Sequence, residues 1–158
     1  MPKKTAGLLL FRDTSGDLEV LLVHPGGPFW AKKDDGAWTI PKGEYGEGED
    51  PASAARREFQ EETGLVPEGE LIPLTEIRQA GGKVVRAWAM EGDCDAATLH
   101  SNTFTMEWPP RSGRMASFPE VDRCAWFDPA LARERINPAQ VELIDRLELA
   151  LTGPPPAA

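Results

Sequence analysis

The stretch "GEYGEGEDPASAARREFQEETGL", residues Gly43 to Leu65, decides how the whole chain is read. Asp50 is a good N-cap, Pro51 suits a first helical turn, and Gly64 suits the position just past a helix end. Between them, Ala54, Ala55 and Phe59 supply a packing face. Glu58, Glu61 and Glu62 lie three and four residues apart, so on a helix they project together, with Arg57 beside them. Like charges at that spacing repel, and folding alone does not call for them. Hard divalent cations do. Mg²⁺ takes oxygen ligands and is typically shared between carboxylates and substrate phosphates. The loop before the helix carries Gly43, Gly46 and Gly48, which let backbone approach a ligand closely. Three glutamates by themselves are more often the mark of a solvated acidic face.

Working outward, "TAGLLLF" (residues 5–11) and "LEVLLVHP" (18–25) read as strands separated by the turn "DTSGD". "GGPFWAKKDDGA" reads as a loop and "WTIP" as a short strand leading into the glycine-rich segment. After the helix come strand-like runs at "GELIPLTEIRQ", "KVVRAWAME" and "FTMEW", with "RQAGGK" as a turn. "PPRSGRMASFPE" reads as a loop ahead of a last strand, "RCAWF". Asn137-Pro138 opens a final helix with an apolar stripe at Val141, Ile144, Leu147 and Leu151, and Gly153 ends it. Strands interspersed with two main helices predict one mixed α/β domain over residues 1–153 and a flexible Pro/Ala tail over 154–158.

The bulk numbers agree. The 158 residues suit one domain, 41% are hydrophobic and 27% charged. A net charge of −9 argues against broad nucleic-acid or anionic-membrane binding, which needs a basic footprint. A small anionic substrate stays compatible, because a metal reverses the local field. Cys94 and Cys124 lack metal-ligand or CxxC spacing and are expected reduced and partly buried. The opening "MPKKTAGLLLFRD" has no small-residue cleavage site and reads as a strand, and no run is long enough to span a bilayer. A cytoplasmic monomer or homodimer is the expectation.

The spacing within the opening stretch is more specific than its parts. Gly43 is followed by five residues and Glu49. Seven residues later come Arg57-Glu58, apolar Phe59, Gln60, Glu61-Glu62, Thr63, Gly64 and apolar Leu65. Chance produces such a match on the order of once in a billion starting points. The chain strongly resembles the Nudix hydrolases, whose box this is. The resemblance implies an α/β/α sandwich around a mixed β-sheet, with the box as loop–helix–loop. It implies hydrolysis of a nucleoside diphosphate linked to a variable group, with Mg²⁺ or Mn²⁺ as cofactor and a small nucleotide as partner. Carried over by position, Glu58, Glu61 and Glu62 become metal ligands, joined by a backbone carbonyl near Lys42. Arg57 and Glu49 become the residues that orient them, with Gly43 and Gly64 as structural support.

In this chemistry a carboxylate takes the proton of the attacking water. Glu58 fits one version of that role. Glu120, in "FPEVDRCAWF" just ahead of the last strand, fits the late-loop acid of some relatives, and Glu107 is a weaker rival. Three features bear on the substrate. "IPKG" sets Lys42 against the site, as in relatives acting on diadenosine polyphosphates or diphosphoinositol polyphosphates. "PPRSGR" offers Arg111 and Arg114 to phosphate oxygens. "HPGGPFW" offers Phe29 and Trp30 to stack on a base, with core packing the expected role of at least one. His24 is expected simply to end a strand. The expected activity is a pyrophosphohydrolase leaning to dinucleoside polyphosphates such as diadenosine tetraphosphate. The alternatives are nucleoside triphosphates, ADP-ribose or other nucleotide sugars, diphosphoinositol polyphosphates, or a non-catalytic binding or regulatory module.

Overall fold

In the computed structural model, residues 4–14 and 16–152 are described. The expected helix stop at Gly153 and the tail at 154–158 lie outside them. Among the described residues, eight strands and three α-helices follow in chain order. β1 (Lys4–Thr14), β2 (Asp17–Pro25) and β3 (Lys42–Glu44) precede α1 (Pro51–Thr63). β4 (Leu71–Arg78), β5 (Val84–Glu91), β6 (Thr103–Glu107), β7 (Met115–Pro119) and β8 (Val121–Phe127) come next. α2 (Pro129–Arg135) and α3 (Val141–Thr152) complete the fold.

β1 organises the main sheet, which runs β4-β5-β1-β2-β8 with β3 also paired to β1. The first half of β1 pairs with β3 and the second half with β2, both antiparallel, while its other edge pairs in parallel with β5. The sheet is therefore mixed. The run "LLLF" is continuously apolar because both faces of β1 are covered. Leu8 and Leu10 turn toward α1, where they meet Ala54, Ala55 and Phe59. Leu9 and Phe11 turn the other way, into a core with Ala132 of α2 and Leu143, Ile144 and Leu147 of α3. The result is the α/β/α sandwich around a mixed sheet.

Four local expectations need correction. "WTIP" forms no strand. Thr39 makes one bridge to Val23, with backbone bonds of 2.9 and 3.0 Å, and Trp38 makes another to Ile136. The segment is too short, and Pro41 lacks the donor to extend it. Residues 115–119 of the expected loop are β7, because a register with β6 that faces Phe104 with Phe118 supplies the pairing their composition does not advertise. A third helix, α2, was not expected. Asp128 caps it by accepting from the Leu131 N–H at 2.8 Å, and it buries Ala132 between sheet and α3. At the end of α3, Leu151 is 41% exposed, and Leu143 stands in the core instead. The helix is preceded by a 3-10 turn, Pro138–Gln140, capped by Asn137.

Candidate active site

α1 begins and ends where its caps dictate. The Asp50 carboxylate accepts from the Ser53 N–H at 3.0 Å, and Gly64 takes the left-handed conformation with φ 79° while its N–H donates to the Gln60 carbonyl. The helix lies on the sheet so that Glu58 faces β3. Gly43 pairs with Ala6 and, like it, points toward α1. A Cβ on Gly43 would lie 2.0 Å from Glu58 Oε2. Only glycine leaves room for that carboxylate. Glu58 is accordingly 8% exposed.

Arg57 is the hub. Its Nε donates to Glu49 Oε2 at 2.9 Å and its Nη2 to Glu49 Oε1 at 3.2 Å, a two-point grip. Its Nη1 donates to Glu58 at 2.8 Å and to Glu61 at 3.2 Å. These bonds push the guanidinium pKa up and hold the Glu49 carboxyl below the usual range. Glu62 sits apart from the hub and accepts the Lys42 backbone N–H at 3.3 Å. Burial pushes its carboxyl up to about 8. Burial also raises Glu58, with help from the charge of Glu61. Glu120, between β7 and β8, is raised by loss of water and then by Glu61, and its own charge acts on both Glu58 and Glu62. The fold thus gathers Glu58, Glu61, Glu62 and Glu120. Glu107 stays at the far end of the β6–β7 hairpin, where it accepts the Arg111 N–H at 2.7 Å.

Lys42 divides its groups between two directions. Its N–H serves Glu62, but its Cβ leaves β3 beside Gly7, on the side of the sheet away from α1. Its pKa is lowered by burial and then by Lys83, a residue the sequence did not single out. The two come together only because β3 and β5 both flank β1. His24 does more than end a strand. It is fully buried, with Nε2 2.6 Å from the Lys33 carbonyl oxygen and Nδ1 2.8 Å from Asp122. Phe29 and Trp30, expected in part to pack in the core, are 59% and 39% exposed. Cys94 and Cys124 are free and half-buried.

The family described as the NUDIX domain matches residues 1–147. The chain belongs to the Nudix family. Among curated proteins, the Caenorhabditis elegans bis(5'-nucleosyl)-tetraphosphatase (asymmetrical) is 38% identical over 68 residues, covering 43% of this chain and 45% of that protein. This chain spans less than half the length of the curated relatives it matches. Among solved structures, a C. elegans Ap4A hydrolase binary complex superposes with a TM-score of 0.67 at 24% identity, over 96% of this chain and 98% of that one. The NUDIX domain of Shewanella oneidensis NrtR, complexed with ADP ribose, also gives 0.67, at 19% identity over 96% and 89%. Those likenesses establish the Nudix fold. They favour neither ligand.

Among the described residues, no three acidic, histidine or cysteine groups converge as a metal cage. The Arg57 guanidinium engages both Glu58 and Glu61 instead. The donor chemistry nonetheless fits a hard cation of the Nudix type. All donors are carboxylate oxygens, and Glu58, Glu62 and Glu120 are each raised by burial or mutual repulsion that a cation relieves.

Proposed function

We propose that the protein is a Mg²⁺- or Mn²⁺-dependent pyrophosphohydrolase acting on a nucleoside diphosphate-linked substrate, with dinucleoside polyphosphates such as diadenosine tetraphosphate as the preferred class. The observation that carries this reading is the gathering of Glu58, Glu61, Glu62 and Glu120 beside α1, with Arg57 bonded to Glu58 and Glu61. Glu58, Glu61 and Glu62 would hold the metal, which when bound neutralises phosphate oxygens and acidifies a water. Arg57 and Glu49 orient the carboxylates. Glu58 or Glu120 accepts the water's proton, and the raised pKa of both suits a group that must gain one.

Two cationic features support a long phosphate chain. Lys42 lies beside Lys83, and Arg111 and Arg114 at the β6–β7 turn make no ion pair among the described residues. In a chain of net charge −9 such placements favour an anionic ligand. ADP-ribose hydrolysis is the second reading, because the NrtR domain complexed with ADP ribose is as similar in fold as the Ap4A hydrolase.

The test is a substrate panel at fixed free Mg²⁺ and Mn²⁺, with products identified by mass. Diadenosine tetraphosphate is expected to exceed ADP-ribose in kcat/KM, and Lys42→Ala is expected to narrow the gap. An ADP-ribose preference, or equal Lys42→Ala penalties, would defeat the polyphosphate preference while leaving pyrophosphohydrolysis intact. No turnover of any nucleotide with either metal would defeat the whole reading and leave a binding module.

A further inference from the structure

Gln140 closes the 3-10 turn between α2 and α3, and its side chain is fully buried. The carboxylate chemistry at α1 makes no use of it. A buried amide needs partners for its oxygen and its nitrogen. Gln140 finds them on two other parts of the chain. Its Oε1 accepts the Ile40 N–H at 3.0 Å. Its Nε2 donates to Thr39 Oγ1 at 2.8 Å and, at a longer 3.4 Å, to Gln79 Oε1. The Ile40 N–H can only donate, so it fixes which way the amide faces.

The first of those parts leads into β3. Thr39 bridges Val23 through backbone bonds of 2.9 and 3.0 Å. Pro41 has no N–H, and its carbonyl accepts from Leu8 at 3.1 Å. The Lys42 N–H goes to Glu62 at 3.3 Å. Between them, Ile40 is fully buried, so its N–H has no water to turn to if Gln140 is lost. The amide of Gln140 supplies the bond that a neighbouring strand would otherwise give. The second part is the β4–β5 turn. The Gln79 N–H donates to the Lys83 carbonyl at 2.8 Å, closing the turn over Ala80–Gly82. Gly81 and Gly82 are both left-handed, with φ of 82° and 78°, so the turn depends on what holds its ends.

Each part carries a lysine. Lys42 leaves β3 over Gly7, where a Cβ would stand 2.9 Å from its own, and it meets Lys83. Two ammonium groups repel, so their proximity depends on what holds their backbones. Gln140 bonds to both parts and is itself held. Its N–H donates to the Asn137 carbonyl at 2.8 Å, and the Asn137 N–H donates to the Trp38 carbonyl at 2.7 Å.

We infer that Gln140 is a positioning residue for phosphate recognition, its buried amide setting the spacing of Lys42 and Lys83 by joining the segment before β3 to the β4–β5 turn. This rests on the pyrophosphohydrolase reading, in which the two lysines face substrate phosphates, and extends it to a residue that touches no substrate atom. Cations already held in place lose less freedom when the phosphates arrive.

Gln140→Met keeps the length of the side chain and removes its bonds. Gln79→Ala cuts only the arm toward Lys83. Each is made with and without Lys83→Ala. Kinetics on diadenosine tetraphosphate and ADP-ribose are paired with calorimetric titration of inorganic tripolyphosphate, all at fixed free Mg²⁺. Gln140→Met should raise KM for diadenosine tetraphosphate, and Kd for tripolyphosphate, by about 10-fold while kcat stays within about 2-fold. Gln79→Ala should shift both in the same direction by a smaller factor, and it decides the matter if Gln140→Met fails to fold. In the Lys83→Ala background neither substitution should weaken tripolyphosphate much further. A fall in kcat equal for both nucleotides with KM and Kd unchanged, or the same loss of tripolyphosphate affinity with and without Lys83, overturns the inference and leaves Gln140 a packing residue. A wild type that hydrolyses a nucleotide, with KM and Kd indifferent to Gln140, refutes the positioning role and keeps the activity. A wild type that turns over neither nucleotide, yet binds tripolyphosphate through Gln140 and Lys83 together, keeps the positioning role and refutes the activity.

Discussion

Gly43→Ala isolates the role of the site's tightest contact. Its Cβ would stand 2.0 Å from Glu58 Oε2, 2.1 Å from Cδ and 2.5 Å from Oε1. Real Cβ atoms essentially never approach closer than 3.0 Å, so the carboxylate must retreat by about 1 Å or more. No left-handed backbone is involved at Gly43, so alanine itself is not strained there. The far end of a side chain can swing away, and the fold should survive. What is lost is the 2.8 Å bond from Arg57 to Glu58. A charge-assisted bond contributes about 1.5–3 kcal/mol when shielded. Arg57 is 40% exposed, so about 1 kcal/mol is the expected stability loss. For a chain this long that is about 2–4 °C in Tm. Turnover should suffer more, by about 10²-fold, the usual consequence of a 1 Å misplacement of a catalytic group. The assay pairs thermal melts with kcat at saturating Mg²⁺ in a cycle with Glu58→Ala. In the Glu58→Ala background, Gly43→Ala should cost almost no further stability. A Gly43→Ala enzyme with near-normal kcat, or one equally destabilised with and without the Glu58 carboxylate, would refute the contact.

Glu61→Gln and Glu62→Gln keep shape and helix propensity but remove ligand charge. Both should lose most turnover at limiting Mg²⁺ with melting curves little changed, and full activity in both would remove them from the metal site. Glu120→Gln should cost about 10²–10⁴-fold in kcat with a smaller change in metal affinity. If Glu120→Gln is silent and Glu58→Gln shows that loss, the proton goes to Glu58. Burial pushes the Cys124 thiol up to about 12 from an ordinary 9.0, so the folded chain keeps a proton that the unfolded chain releases. That difference lowers stability as pH rises above about 9 and through the folded value, by about 1 kcal/mol at pH 10. Cys124→Ala should therefore flatten the fall in Tm between pH 8.5 and 10.5, and an unchanged slope would contradict the shift.

The box was legible in the sequence because its physics is local. Helix caps at Asp50 and Gly64 and carboxylates at three- and four-residue spacing all act within one helix and its adjoining loop, where periodicity alone places side chains. β1 and β2 were legible for the same reason, through continuous apolar runs. Tertiary structure decided the rest. β7 exists because β6 offers it a register, and α2 because it buries Ala132 beneath α3. Lys42 reaches Lys83, and Gly43 yields to Glu58, only because β1 carries β3 on one edge and β5 on the other while α1 packs on its face. His24 holds a loop carbonyl and an aspartate 98 residues away. Contacts across such separations depend on which chain segments meet in the folded sheet, and no periodicity within one segment records that meeting.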